Sequence, residues 1–202
     1  MQLLKCCGIR EKLENYDNID LLGFNFISYS KRKIDKQKAK EISQDILKKW
    51  YKNIQKVGLF DESFSFEEIL DILDFANLDA VQLYSNDTEI FKKLKNKWYF
   101  LIKPINLDFK DFEKYEKIVD LFIVDGKNPW SGKKYDYSQI NNLNLNKNFL
   151  VAGWVSVDNA WEIVKIFEKN PFFVGLDVAS GVDNGKNIDL GKVGEIVRVF
   201  WK

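Results

Sequence analysis

The sequence predicts an α/β fold, a closed (β/α)₈ barrel, and three observations predict it. Eight short apolar or β-branched runs recur along the 202 residues, and several intervals between them carry helical periodicity. No linker, low-complexity tract or break in composition divides the chain. Strands alternating with helices read as a parallel sheet, and eight strands are the number that closes into a barrel of the TIM type, here shorter than the ~250 residues typical of it. Residues 1–202 are therefore expected to form one compact barrel domain with some short or irregular helices.

Taken in order, the first strand is expected at Leu3 to Cys6, and the interval Arg10 to Asn18 after it has room for only a stunted helix. The second strand, Leu21 to Phe26, leads to a helix over Lys36 to Tyr51, where Ala39, Ile42, Ile46, Leu47 and Trp50 fall on one stripe. Lys56 to Phe60 is the third strand and Ser65 to Ala76 its helix; Ala80 to Leu83 is the fourth, followed by a helix over Asp87 to Lys97. Tyr99 to Lys103 and Leu121 to Val124 make the fifth and sixth strands, with poorly defined intervals after Asp108 and Tyr137. Leu150 to Ala152 with a helix over Val157 to Glu168, then Val174 to Val178 with one over Asp189 to Trp201, complete the count. The prolines, Pro104, Pro129 and Pro171, all fall outside the predicted helices.

Composition narrows the function. A formal net charge of +1 offers no global field for a polyanion, so a nucleic-acid partner is not expected. No apolar run approaches the roughly 20 residues of a membrane span, and the N-terminus lacks the pattern of a signal peptide, so a cytoplasmic protein with no membrane partner is expected. Histidine is absent, which leaves acid and base chemistry to Cys, Asp, Glu, Lys or Tyr. Adjacent cysteines rarely bridge each other, and two thiols without histidine do not complete a structural zinc site, so Cys6 and Cys7 are expected to be free.

In a barrel of this kind the chemistry lies where strands end and βα loops begin, which gives priority to Cys7, Arg32, Asp125 and Asp177. Strand alternation puts Lys5 and Cys7 on one face and Leu4 and Cys6 on the other. With Leu4 and Cys6 packed outward, Lys5 and Cys7 look into the barrel mouth, and Cys6 is core. Each candidate has a plainer alternative. Cys7 can be a second small buried residue, Asp125 a loop-initiating aspartate, and Asp177 the structural partner of a lysine. Arg32 can belong to a solvated basic loop with Lys31 and Lys33, and Ser180-Gly181 to an ordinary turn.

Five segments together resemble one family, the phosphoribosylanthranilate isomerases of tryptophan biosynthesis. LLKCCGIR resembles its opening Lys-x-Cys-Gly-Ile, and GFNFISYSKRKI its Gly-Phe-x-Phe segment leading into Ser-x-Arg. VGLF and AVQLY stand where its third and fourth strands do. IVDGKNPWSGKKYDY resembles its aspartate strand with the following Ser-Gly-Lys run, and GLDVASGVDNGKNID its Val-Asp-x-Ser-Ser-Gly-Val-Glu signature. The resemblance implies an Amadori rearrangement with Cys7 as general base and Asp125 as general acid. It also implies that Arg32 meets the anthranilate carboxylate, that Asp177 helps hold the sugar, and that Gly153, Ser180 and Gly181 cradle the phosphate, with Lys186 close behind. Lys5 joins this binding set through the opening motif. The implied partner is a small phosphorylated substrate, the implied assembly a monomer or homodimer, and no metal or organic cofactor is implied.

The chain departs from the family at Tyr84-Ser85, where His-Gly is usual, and at Trp154, where the seventh strand usually ends in Gly-Gly. Trp154 has two readings, one in which it crowds the phosphate site and one in which it walls off a loop that has lost glycines; on the second, which is preferred, its replacement by glycine is expected to lower stability without improving affinity for the phosphate. Lys5, two residues before Cys7 on the same face, is expected to hold the Cys7 thiol below its free pKa. Two rival readings are a histidine-pathway isomerase that does the same rearrangement with two aspartates, and a barrel that binds a phosphorylated metabolite without turning it over.

Overall fold

The computed structural model describes residues 2–126 and 136–200. Eight parallel strands run in chain order around a closed barrel: β1 (Leu3–Cys7), β2 (Leu21–Asn25), β3 (Gln55–Asp61), β4 (Ala80–Tyr84), β5 (Phe100–Asn106), β6 (Leu121–Asp125), β7 (Phe149–Val151) and β8 (Phe173–Val178). All eight predicted runs overlap these strands. β1 closes the ring on β8 with Lys5 opposite Asp177. β4 pairs with β5 only as far as Gln82 and Ile102; Pro104, with no N–H to give, lies in the part of β5 beyond that pairing.

Local signals start the helices after β2, β3 and β4. Asp35 caps α1 (Lys36–Lys48) by accepting from the Lys38 N–H, and Asp87 caps α3 (Thr88–Asn96) by accepting from Glu89. Ser65 and Glu68 form a reciprocal capping box on α2 (Phe66–Ala76), which ends at Asn77 in the left-handed conformation. The second half is less regular. Among the described residues, the intervals that lacked a clear helical pattern hold α4 (Glu113–Glu116) and a 3₁₀ helix at Tyr137–Leu143, before α5 (Ala160–Phe167) and α6 (Leu190–Phe200). No helix forms between β1 and β2. That connection is a loop pinned to α1: Tyr16, 1% exposed, donates to Asp45 at 2.9 Å, and Lys49 Nζ donates to the Leu13 carbonyl at 2.7 Å. Among the described residues, no helix is long and apolar enough to cross a membrane.

The core has two parts, one on each side of the barrel wall. Leu4, Cys6, Leu22, Phe24, Phe60, Val81 and Leu83 pack outward against the helices. Leu21, Val57, Leu59, Ala80, Ile102, Leu121, Ile123, Leu150 and Ala152 fill the interior. Alternation along β1 therefore runs as expected, with Cys6 fully buried outside and Cys7 packed on the interior cluster. In β8 it does not. Phe149 pairs with Phe173 but Leu150 with Gly175, so Val174 is an extra residue. Gly175 takes φ 147°, and a side chain there would collide with the backbone of Leu3. The bulge leaves Val174 against the interior cluster yet sends Leu176 and Val178 outward, which turns Asp177 into the barrel.

Candidate active site

The inner wall at the carboxyl ends of the strands gathers most of the candidates. Lys5, 0% exposed, donates from Nζ to Asp177 Oδ1 at 2.8 Å. Burial works against the ammonium, but the charge of Asp177, the neighbouring thiol and the hydrogen bond prevail, and the Lys5 pKa is raised. Lys5 remains a cation. Cys7 is half-buried two residues on, next to the same ion pair.

The expectation for Cys7 is reversed. Burial pushes its thiol up; the charges of Lys5 and Arg32 and a hydrogen bond from Lys5 pull it down without overcoming that burial, and Asp177 adds to the rise. The physical reason is that the Lys5 charge is already balanced by the carboxylate of Asp177. Cys6, enclosed outside the wall, is pushed up by the same desolvation and has no access to the mouth.

The loop after β2 carries Arg32 back to the mouth. Ile34 N–H donates to the Asn25 carbonyl, and Ser30 Oγ accepts from both Asn25 Nδ2 and the Arg32 N–H. The Arg32 stem then lies against Gly8, whose φ of 88° and lack of a side chain leave the space it fills. Arg32 Nε donates to Asp183 Oδ2 at 2.9 Å, while Arg10 Nη2 donates to the other oxygen at 2.7 Å. Partial burial raises the Asp183 pKa, but Arg32, the Gly185 N–H and Arg10 outweigh it and hold the carboxyl below its usual value. Arg32 is thus a fixed group beside Cys7 and not part of a solvated basic loop. Because Asp183 engages Nε, the two terminal nitrogens of Arg32 keep their donors.

Asp125 ends β6 on the face of Leu121 and Ile123, both interior residues. Its carboxyl is pushed up to about 6 by burial, with the Gly126 N–H, which donates to Oδ1 at 2.7 Å, opposing and the charge of Asp177 adding. The Ser-Gly-Lys run at 131–133 lies outside the described residues.

The loops after β7 and β8 touch. A side chain at Gly181 would collide with the Val155 carbonyl, so glycine is what lets these two backbones meet. Gly153 and Trp154 have φ 81° and 59°, a left-handed pair, and the Gly153 carbonyl accepts from Tyr137 Oη at 2.6 Å. Trp154 therefore occupies a backbone conformation that glycine adopts without strain, and the residue is 46% exposed. This revises the expectation that replacing it with glycine simply loses packing. The N–H groups of Gly153, Trp154 and Ser180 have no acceptor in the protein among the described residues. Lys186 is exposed in the turn that follows.

Sequence reasoning passed over several of these residues. Asp183 was visible only as the acid ending Ser-Gly-Val-Asp. Arg10 and Asn187, which accepts the Arg10 N–H on Oδ1 and donates to the Glu11 carbonyl, had no signal at all because they join segments at opposite ends of the chain. Gln82 was quoted within AVQLY without a role. It is 1% exposed and donates from Nε2 to the hydroxyl of Tyr84 at 2.9 Å.

Comparison with known proteins places this chain in a family. The family model for N-(5'-phosphoribosyl)anthranilate (PRA) isomerase matches residues 10–199. The N-(5'-phosphoribosyl)anthranilate isomerase of Clostridium beijerinckii is 31% identical, over 89% of this chain and 86% of its own. That of Leptospira interrogans is 33% identical, over 96% and 92%. Among solved structures, the phosphoribosyl anthranilate isomerase of Thermus thermophilus superposes with a TM-score of 0.80 at 23% identity, covering 99% of this chain and 98% of its own. A phosphoribosyl anthranilate isomerase in complex with reduced 1-(o-carboxyphenylamino)-1-deoxyribulose 5-phosphate gives 0.76 at 22%, covering 98% and 97%.

Proposed function

The chain belongs to the N-(5'-phosphoribosyl)anthranilate isomerase family, and on that premise we propose that it converts N-(5'-phosphoribosyl)anthranilate to 1-(2-carboxyphenylamino)-1-deoxyribulose 5-phosphate, an aldose–ketose isomerisation in tryptophan biosynthesis. One observation carries the assignment to this site. Cys7 and Asp125 end β1 and β6, strands three steps apart around the barrel, and both lie on the inward face at the carboxyl ends, so base and acid line the same mouth.

Asp125 protonates the furanose ring oxygen. With a pKa of about 6 it holds a proton on roughly a tenth of the molecules at pH 7, far more than an ordinary aspartate. Ring opening leaves an iminium at C1, which acidifies the C2–H bond. The Cys7 thiolate takes that proton, and the resulting enolamine tautomerises to the ketone. A raised thiol pKa makes the thiolate scarcer but a stronger base, and Lys5 beside it stabilises the anion as it forms. The terminal nitrogens of Arg32 suit the anthranilate carboxylate. The unengaged N–H groups of the loops after β7 and β8 suit the phosphate, where barrels of this type commonly bind one.

The test is turnover by purified protein, followed as loss of phosphoribosylanthranilate fluorescence, with Cys7→Ser, Asp125→Asn and Cys6→Ala alongside. The first two variants should fall by two orders of magnitude or more, and Cys6→Ala should keep most activity. The wild-type pH profile should rise to a plateau near pH 6, where Asp125 titrates, and fall only above the ordinary thiol range. A wild-type protein without turnover would overturn the proposal.

A further inference from the structure

Gln82 and Tyr84 lie on one face of β4 with Ala80, which is part of the barrel interior. The Tyr84 residue is 44% exposed at the mouth, but its hydroxyl reaches back to Gln82, which is almost wholly enclosed. There the phenol oxygen accepts a hydrogen from Gln82 Nε2 at 2.9 Å. The phenol's own proton meets no acceptor among the described residues. Gln82 Oε1 is buried and likewise unpartnered. A polar pair enclosed at the floor of a mouth, with a donor left over, is costly unless something else completes it. The groups whose charge acts on that hydroxyl are Cys7, Asp177 and Asp125. Burial and those three groups keep the phenol protonated well beyond the neutral range, so it can give a hydrogen bond but cannot serve as a base.

We propose that Tyr84 is a further substrate-contacting residue, a hydrogen-bond donor to a sugar oxygen between Cys7 and Asp125, and that Gln82 is its positioning residue. This rests on the isomerase proposal above. The amide holds the phenol by a lone pair, and that directs the phenol's proton away from Gln82 and toward the substrate. Tyr84 thus supplies, with a neutral hydroxyl, a polar group at the end of β4 in a chain that contains no histidine.

The experiment is steady-state kinetics on wild type, Tyr84→Phe, Gln82→Met and the double variant, with melting temperatures and pH profiles. Tyr84→Phe should lower kcat/KM by about tenfold to a hundredfold, as loss of one substrate hydrogen bond does, with the melting temperature and both limbs of the pH profile in place. Gln82→Met should lose less than that, and in the double variant the two losses should not add, because Gln82 acts through Tyr84. Activity of Tyr84→Phe within about twofold of wild type, while Cys7→Ser is dead, would overturn this inference and leave the isomerase proposal standing. An unimpaired or faster Gln82→Met would show that the phenol donates to Gln82 and would overturn it equally. A wild-type protein that does not turn over phosphoribosylanthranilate would remove both.

Discussion

Lys5 and Lys103 are two lysines buried to nearly the same degree, 0% and 3% exposed, on opposite sides of the same barrel wall. Lys5 lies inside with the Asp177 carboxylate at 2.8 Å, and its pKa is raised. Lys103 follows the interior residue Ile102 and points outward, where Nζ sits 5.7, 5.2 and 4.9 Å from the ring centres of Phe91, Phe109 and Tyr115. It donates to the Ser85 carbonyl and to Asn86 Oδ1, with no carboxylate in ion-pair range among the described residues, and burial lowers its pKa to about 8. The contrast shows that carbonyl dipoles and aromatic faces only soften the desolvation of an ammonium, whereas a carboxylate in contact reverses its effect. It also separates two jobs. Lys5 keeps a fixed charge beside the thiol, and Lys103 ties β5 to the loop that follows Tyr84.

The sharpest way to break this comparison is to remove Lys5. Lys5→Met strands the Asp177 carboxylate inside the barrel, so stability should fall by about 3–5 kcal/mol, as when one partner of a buried pair is deleted. The Cys7 thiol, already above its free value, should rise further, which iodoacetamide alkylation against pH reads directly. A midpoint unmoved by Lys5→Met would show that Lys5 does not act on the thiol.

Lys103→Met should behave in the opposite sense and more mildly. The folded pKa of Lys103 is below the unfolded value of ~10.4, so below pH 8 both states are protonated and the full cost of burying the charge is felt. As pH rises from about 8 to about 10 the unfolded state binds more protons and the folded state gains, by a total of about 3 kcal/mol. Urea denaturation of wild type should show that rise relative to Lys103→Met, and parallel curves for the two proteins would show that Lys103 is not desolvated.

The smallest effect is expected at Trp154, where there is no buried charge and strain opposes packing. Trp154→Gly should change stability by less than about 1 kcal/mol, because relief at a left-handed position offsets the loss of a half-exposed ring. A clear loss in a thermal melt would restore the view of Trp154 as a wall for its loop.

Most of the barrel could be read from the chain because its signals are local. The apolar runs, the caps at Asp35, Ser65 and Asp87, and the alternation of Leu4 and Cys6 with Lys5 and Cys7 depend on neighbours a few residues apart. The loop at Arg10 to Asn18 was less legible, since its order comes from Tyr16 reaching α1. Asp177 was singled out, yet simple alternation through Val174 to Val178 sets it opposite Val174; the bulge at Gly175 is what turns it inward. Lys103 attracted no notice, because a lysine in a strand reads as surface until the rings of Phe91, Phe109 and Tyr115 enclose it.

The sequence by itself determined the strand count, the inward face of β1 and the residue types available for chemistry in a chain without histidine. Only the tertiary structure decided the charges those residues carry. Lys5 meets Asp177 across 172 positions of sequence, and Arg32 meets Asp183 across 151. Each contact changes what the neighbouring thiol or guanidinium can do. A side-chain period is a property of the backbone that any short segment expresses, whereas a pKa follows from desolvation and from charges within a few ångströms, and those exist only once the barrel has closed.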